Sequence, residues 1–400
     1  MKARRRVPQE LGVFGVVILV AIIMGLLSPQ FRTPGNLSVL LLNGSVVTFL
    51  ALGQTCVLLT GGIDLSVGSN IALTGMIAAL AMKAGLPWWA GAALAITTGI
   101  VVGLFNGLAV HYGKMPPFIV TFATFGISAS IPKILTNAKS ITVEDPMFAF
   151  FGRGSLFHIP IPIIMVIVAA IAISLLLTRT ATGVRIYAVG GNKETARLAG
   201  INIARTTVLV YVISGVCASF GGIITASRLM VGYPTAGSGT EQFYSIASAV
   251  VGGVSLFGGI GTVLGAFLGS LLIAEVSNGM NVIGVDSYWQ PLVIGVIILL
   301  GVAIDTNKSA LTARRKRGQN TSAEIPAPDT TPSTGVTSHS STQSASGSRS
   351  LALVSQAAES TQQRSGDSAQ LQPTTQRTPT PRETHSTTQT PPAQPPTPGT

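Results

Sequence analysis

Apolar residues run along this chain in blocks of roughly twenty, separated by short polar stretches, as far as residue 304, and then the pattern stops. The blocks fall at 11–27, 39–60, 67–83, 88–110, 117–135, 160–178, 206–228, 244–257, 262–277 and 288–304. A hydrocarbon layer about 30 Å thick is crossed by about 20 helical residues. The pattern therefore predicts an all-α, polytopic membrane protein of about ten transmembrane helices. The block at 244–257 is short and broken by glycine, so the count lies at nine or ten, and ten is the expectation adopted. From 319 to 400 Ser, Thr, Pro and Gln dominate and nothing is present to bury a core, which predicts a disordered tail after a membrane domain over 1–318.

Composition sharpens this picture. With 47% hydrophobic and 10% charged residues, the chain cannot cover a water-soluble surface with polar side chains. Its 45 glycines suit helices that approach closely in lipid, where small residues supply the contact. The formal charge of +11 suggests nucleic-acid binding at first sight, but the basic residues sit between apolar blocks and not along one stripe. With a cytoplasmic N-terminus and ten crossings, Lys2, Arg4, Arg5, Arg6, Lys114, the group from Arg179 to Arg205 and the group from Lys308 to Arg317 all face the cytoplasm. That is the asymmetry of the positive-inside rule, and it places both termini inside. No small-residue cleavage site follows the first block, which is read as a retained helix. Cys56 and Cys217 lie within apolar blocks and read as packing residues, with neither a disulfide nor a metal site.

Three segments stand out. Between Arg179 and Arg205, Asn192 suits a helix N-cap, Glu194 a first turn and Gly200 a left-handed stop. The result is a short surface helix bearing Ala196, Ala199 and Gly200, either seated in a cleft of a soluble partner or lying on lipid. Gly-rich stretches at 59–70 and 252–261 resemble each other. Each is a tight helical hairpin or a helix break beside a watery pathway, where freed backbone groups find partners. Their similarity suggests an internal repeat, parallel for an offset of six spans and inverted for five. Asp64, within the first stretch, either caps the helix beginning near Ser66 or works as a proton relay or polyol ligand. Asn43, Gln54, Thr55, Asn70, Thr74 and Asn106 are uncharged polar groups on apolar helices, suited to a sugar hydroxyl or to a neighbouring helix. Glu275 and Asn278 are expected at the membrane interface.

Catalytic constellations are missing from the sequence: the four histidines are scattered, and no phosphate-binding loop of the G-x-x-x-x-G-K-[ST] type occurs. No catalytic residue, metal or cofactor is expected, and any energy from ATP must come through another subunit.

The chain resembles the permease subunits of ribose/xylose/galactose-type ABC importers over roughly residues 10–306. The resemblance rests on Gly53-Gln54-Thr55 with Thr60 to Gly68; Phe105-Asn106-Gly107 with Pro116 to Thr121; Gly190-Gly191-Asn192 with Ala196 to Ile201; Gly252-Gly253 with Ser255-Leu256 and Gly258-Gly259; and Asn278 to Asn281 with Gly284-Val285 and Ser287 to Gln290. It implies a homodimer in a bacterial inner membrane, an ATP-binding cassette subunit, and an extracytoplasmic sugar-binding protein that delivers a monosaccharide or related polyol. Glu194, Ala196 and Gly200 look like the E-A-A-x-x-x-G coupling motif, with Thr195 in place of its first Ala. Gly191, Asn192, Glu194, Ala196, Arg197 and Gly200 are thus the expected coupling residues, and Gln54, Thr55, Asp64, Ser66, Asn70 and Asn106 the pathway candidates. The chain departs from the family pattern at Gln242-Phe243-Tyr244, where Glu-Leu-Asp is common, and around Ser130-Ile131-Pro132, where Arg-Gly is common. Permeases for nucleosides or branched-chain amino acids, and a stand-alone secondary transporter, are the competing readings.

Overall fold

The computed structural model describes residues 9–157, 159–237 and 239–321, with only the backbone for residues 9, 304 and 307–321. The expected tail at 319–400 lies almost wholly outside the described residues. The described part is helical, with four two-residue strands. In order the elements are α1 (Gln9–Leu27), a 3-10 turn at Pro29–Arg32, α2 (Pro34–Leu59), α3 (Val67–Lys83), α4 (Trp88–His111), α5 (Pro117–Thr136), β1 (Ile141–Thr142) and α6 (Pro146–Arg153). Then come β2 (Ser155–Leu156), β3 (Ile159–Pro160), α7 (Ile161–Arg179), α8 (Ala181–Gly191), α9 (Lys193–Leu198), α10 (Ile203–Leu229), β4 (Val231–Gly232), α11 (Glu241–Val251), α12 (Val263–Val282) and α13 (Trp289–Thr321).

Among the described residues seven helices are long and apolar enough to cross a membrane, namely α1, α2, α4, α5, α7, α10 and α12. The shorter α3 and the apolar first half of α13 complete the bundle. At the eighth expected crossing, 244–257, the helix is shorter than the apolar block: α11 has 11 residues, and the chain leaves the helix at Gly252. Gly253, Gly258, Gly259 and Gly261 all adopt positive φ, so the sequence there favours a turn over a longer helix.

Helix α10 is the central post, with 67% of its most apolar window buried, whereas α1 and α7 bury only 17% and ring the outside. Leu11, Phe14, Leu19 and Ile22 on α1, Phe118 and Phe122 on α5, and Val168, Ile171 and Leu175 on α7 are exposed. Such an apolar girdle suits lipid and would be a liability in water. The inner contacts are made by small residues. A Cβ on Gly103 of α4 would stand 2.8 Å from Val212 Cα of α10, and one on Gly107 would stand 2.6 Å from Val208 Cα. Lipid offers no hydrophobic drive between helices, so backbone-to-backbone approach of this kind supplies the association. Phe49 of α2 stacks on Phe220 of α10 at 5.3 Å, and Thr48 shares a 2.8 Å hydrogen bond with Ser270 of α12.

One end of the bundle carries α8 and α9, and the other carries α6. At the α6 end β1 pairs antiparallel with β4, Ile141 opposite Gly232. Asp145 caps α6 by accepting from Met147 N (2.8 Å) and Phe148 N (3.2 Å). Ser227 of α10 donates to Phe148 O, and Arg153 Nε donates to Arg228 O (2.6 Å), so α6 is fastened over the end of α10. Asn278 and Glu275, expected at the membrane interface, are both buried against neighbouring helices. Asn278 exchanges reciprocal amide hydrogen bonds with Asn36 at 2.9 and 3.1 Å, a pairing of residues far apart in sequence.

Gly103→Leu forces side-chain atoms into the α4–α10 contact and is expected to cost about 1–3 kcal/mol. Its thermal unfolding transition in detergent should fall clearly below that of Gly12→Leu, since Gly12 has nothing within 4 Å of its would-be Cβ. Equal transitions for the two variants would refute close α4–α10 packing.

Candidate functional site

The 179–205 connection, read from sequence as one loop with a short helix, holds two helices. Thr180 starts α8 by accepting from Gly183 N at 3.3 Å. Ile186 of α8 is buried in a cluster with Leu52, Cys56, Val57, Tyr211 and Val254, and Val189 is buried as well, so α8 is rooted in α2, α10 and the turn after α11. Asn192 then breaks the helix and caps α9, its Oδ1 accepting from Thr195 N at 2.9 Å. Glu194 and Arg197 form an exposed ion pair at 2.9 Å, a contact of small energetic worth. Gly200, at φ +78°, ends the helix, and Ile201 N returns to Ala196 O at 3.0 Å. Asn202 begins α10 at once, accepting from Arg205 N at 2.9 Å.

Of the expected coupling residues, Gly191, Asn192, Glu194, Arg197 and Gly200 are exposed together and Ala196 is buried beneath them. Two neighbours were not among the expected coupling residues. Leu198 is 85% exposed, an apolar knob at the tip of α9. The tight position is Gly190, where a Cβ would collide with Leu59 O and Gly259 N. Leucine in a helical run gives no sign of which way it points, and Gly190 is one of an undistinguished pair.

Gly190 sits where the two Gly-rich stretches meet. Gly259 N donates to Leu59 O at 2.9 Å, and a Cβ on Gly258 would stand 2.9 Å from both Gly190 O and Gly61 N. Tyr187 of α8 adds a 2.8 Å hydrogen bond from its hydroxyl to Gly261 O. The helices α2 and α11 enter this junction running in the same direction, as their C-terminal ends meet here and Asn43 and Tyr244, nearer their starts, border one cavity at the other end. The two look-alike stretches thus have the parallel relation.

The break between α2 and α3 is buried apart from the exposed Gly61 and the half-buried Ile63, and its backbone finds partners. Thr60 N and Gly62 N return to Val57 O, and Gly61 N to Leu58 O. Ile63 O accepts from Thr121 Oγ1 and from Tyr211 Oη, both at 3.3 Å. Gln54, in the amide orientation its surroundings require, donates to Asp64 O at 3.0 Å and accepts from Asp64 N at 3.3 Å. Asp64 Oδ1 accepts from Ser66 N (3.0 Å) and Ser66 Oγ (2.6 Å), and its Oδ2 accepts from Ser214 Oγ at 2.8 Å. Asn106 Nδ2 donates to Ser66 Oγ at 3.0 Å, Asn70 Nδ2 does so at 3.3 Å, and Thr124 donates to Asn106 Oδ1 at 2.7 Å.

Gln54, Asp64, Ser66, Asn70 and Asn106 are therefore one hydrogen-bonded network, each at 0–1% exposure, joining α2, α3, α4, α5 and α10. Thr55 stands apart, bonded back to Ala51 O at 2.7 Å. In this conformation the network fixes the helix break, and none of its members borders the cavity at the α6 end of the bundle. That cavity, about 360 Å³, opens at the α6 end among α2, α10, α11, α12 and α13. Its wall includes Asn43, Arg228, Glu241, Tyr244, Asn278, Asn281 and Gln290. Asn43 is read from the sequence only as one of several polar groups on apolar helices.

A profile of the family described as "Branched-chain amino acid transport system / permease component" matches residues 36–302. A probable ABC transporter permease protein of Sinorhizobium fredii is 40% identical over 297 residues, 74% of this chain and 89% of that protein. The ribose import permease protein of Bacillus subtilis is 39% identical, covering 76% of this chain and 95% of its own length. The D-allose transport system permease protein of Escherichia coli is 37% identical, covering 74% and 90%. No solved structure matches the chain. The chain belongs to this family of membrane transport permeases. Within the family it groups with permeases of ABC sugar importers.

Asp64→Ala removes the acceptor of three hydrogen bonds and takes the acceptor from the N–H and O–H of Ser66 and the O–H of Ser214 in the interior. The expected loss is roughly 3 kcal/mol, read as a lower unfolding transition in detergent. Thr55→Ala, which breaks one local bond, should change that transition little; the reverse ranking would refute the network's structural role.

Proposed function

We propose that this chain is the membrane-spanning subunit of an ATP-driven importer and passes a monosaccharide or related polyol from a soluble extracytoplasmic binding protein into the cell. Two copies stand side by side on ATP-binding cassette subunits. The α8–α9 end is cytoplasmic, the α6 end faces outward, and both termini are cytoplasmic, in keeping with the basic residues between Arg179 and Arg205.

The observation that carries this reading is the placing of α9. A short helix, capped at both ends and tipped by the exposed Leu198, is rooted through Gly190 in both Gly-rich turns. A partner that grips Gly191, Asn192, Glu194, Arg197, Leu198 and Gly200 moves the turns with it, and alternating access follows from their displacement. The sugar assignment draws on relatives named for ribose and allose import. The family description names branched-chain amino acids, and a nucleoside is a further alternative cargo. A stand-alone, proton-coupled transporter needs an ionisable group free to exchange its proton in the pathway. Asp64 has both carboxylate oxygens engaged in a packed network, which counts against that role.

Gly200→Trp and Glu194→Lys should insert in the membrane normally, yet in proteoliposomes with the partner subunits they should hydrolyse ATP with sugar uptake reduced tenfold or more. Normal uptake in both variants would refute coupling through α9. A thiol at Glu194→Cys should react with a membrane-impermeant reagent only from the cytoplasmic side. Uptake by the chain alone, abolished by Asp64→Asn, would instead establish the secondary transporter.

A further inference from the structure

The cavity at the α6 end belongs neither to the glycine junction nor to the Asp64 network. Its volume of about 360 Å³ lies within the span of small-molecule sites, about 300–1,000 Å³. Arg228, at the end of α10, and Glu241, at the start of α11, both border it. They do not pair: the one ion pair among the described residues is Arg197 with Glu194. Opposite charges that share a cavity without closing on each other leave room for a guest between them and give it no net charge to match.

The remaining polar groups are side-chain amides and the hydroxyls of Thr225, Ser277 and Tyr244. Arg228 Nη1 donates to Asn43 Oδ1 at 2.6 Å, which holds the guanidinium in place, and its other N–H groups have no acceptor among the described residues. Gln290 Nε2 donates to Asn281 Oδ1 at 2.7 Å, which leaves the Asn281 NH₂ without an acceptor there. Glu241 Oε2 accepts only the Thr240 N–H, at 3.1 Å. The cavity thus offers donors from Arg228 and Asn281, acceptors on Glu241, and the Tyr244 side chain in the same wall. A hydroxyl both donates and accepts, so adjacent hydroxyls on a ring satisfy such a mixed set. An amino acid would use the two charges and leave the amides unmatched.

We infer that this cavity is a polyol subsite of the permease itself, which receives a released monosaccharide and adds selectivity inside the membrane subunit. The inference rests on the sugar-import reading above. Hydrogen bonds to a charged group contribute about 1.5–3 kcal/mol, so loss of one should raise the half-saturating sugar concentration about tenfold or more.

The test uses the full complex in proteoliposomes, with ATP inside and saturating binding protein, and radiolabelled D-ribose, D-allose, D-galactose and L-leucine as probes. Arg228→Gln and Glu241→Gln should each raise half-saturation for the preferred sugar at least tenfold and compress its preference over the other two. Arg228→Lys, which keeps the charge, should recover part of the loss. Saturation-transfer NMR on the wild-type complex in nanodiscs, without the binding protein, should show contact with the preferred sugar. That signal should fade in Asn281→Ala, a check that stands even if the charge variants fail to assemble. Sugar uptake with unchanged half-saturation and preference in both charge variants, or no saturation transfer to the wild type, overturns the subsite and leaves sugar import standing. Uptake of L-leucine without any sugar overturns both.

Discussion

Backbone that leaves a helix inside a bilayer must find its hydrogen bonds in protein, because hydrocarbon supplies none. The segment from Thr60 to Ser66 meets this constraint in three ways. Its first amides turn back onto the last carbonyls of α2, its middle is held by Gln54, Thr121 and Tyr211, and its far end is closed by Asp64 on Ser66. Five helices contribute, so the break is a property of the whole bundle. That is why a carboxylate appears among so many apolar residues: its two oxygens join α3 to α10 where α2 has ended.

Much of the architecture was legible because period and length are strong signals in a membrane. Nine of the apolar blocks became helices at nearly their expected positions, and Asn192 and Gly200 bound α9 as their side-chain and backbone chemistry requires. The failures have physical causes. At 244–257 the helix is shorter than the apolar block, because the glycines that follow, most of them with positive φ, favour a turn. In α8, an amphipathic helix lay within what the charges marked as a loop, its buried face supplied by only a few residues such as Ile186 and Val189.

The site was legible in parts. Sequence identified Gln54, Asp64, Ser66, Asn70 and Asn106 individually, while their union across five helices depended on tertiary packing that no local pattern encodes. The cavity was harder to foresee still. Asn43 lies mid-helix, Arg228 closes α10, Glu241 opens α11, and Asn281 and Gln290 flank the α12–α13 turn. Each is an ordinary residue for its place, and only the fold gathers them. Elsewhere small residues set the packing, for Gly103 and Gly107 let α4 lie against the backbone of α10, beside the buried Asn106 and Ser214.

The contact at Gly190 has a mechanical consequence. With no side chain interposed between its backbone and those of Leu59 and Gly259, nothing there can flex by rotamer exchange to absorb a force. A thrust arriving through α8 would bear on both reverse turns, as a keystone bears on both halves of an arch.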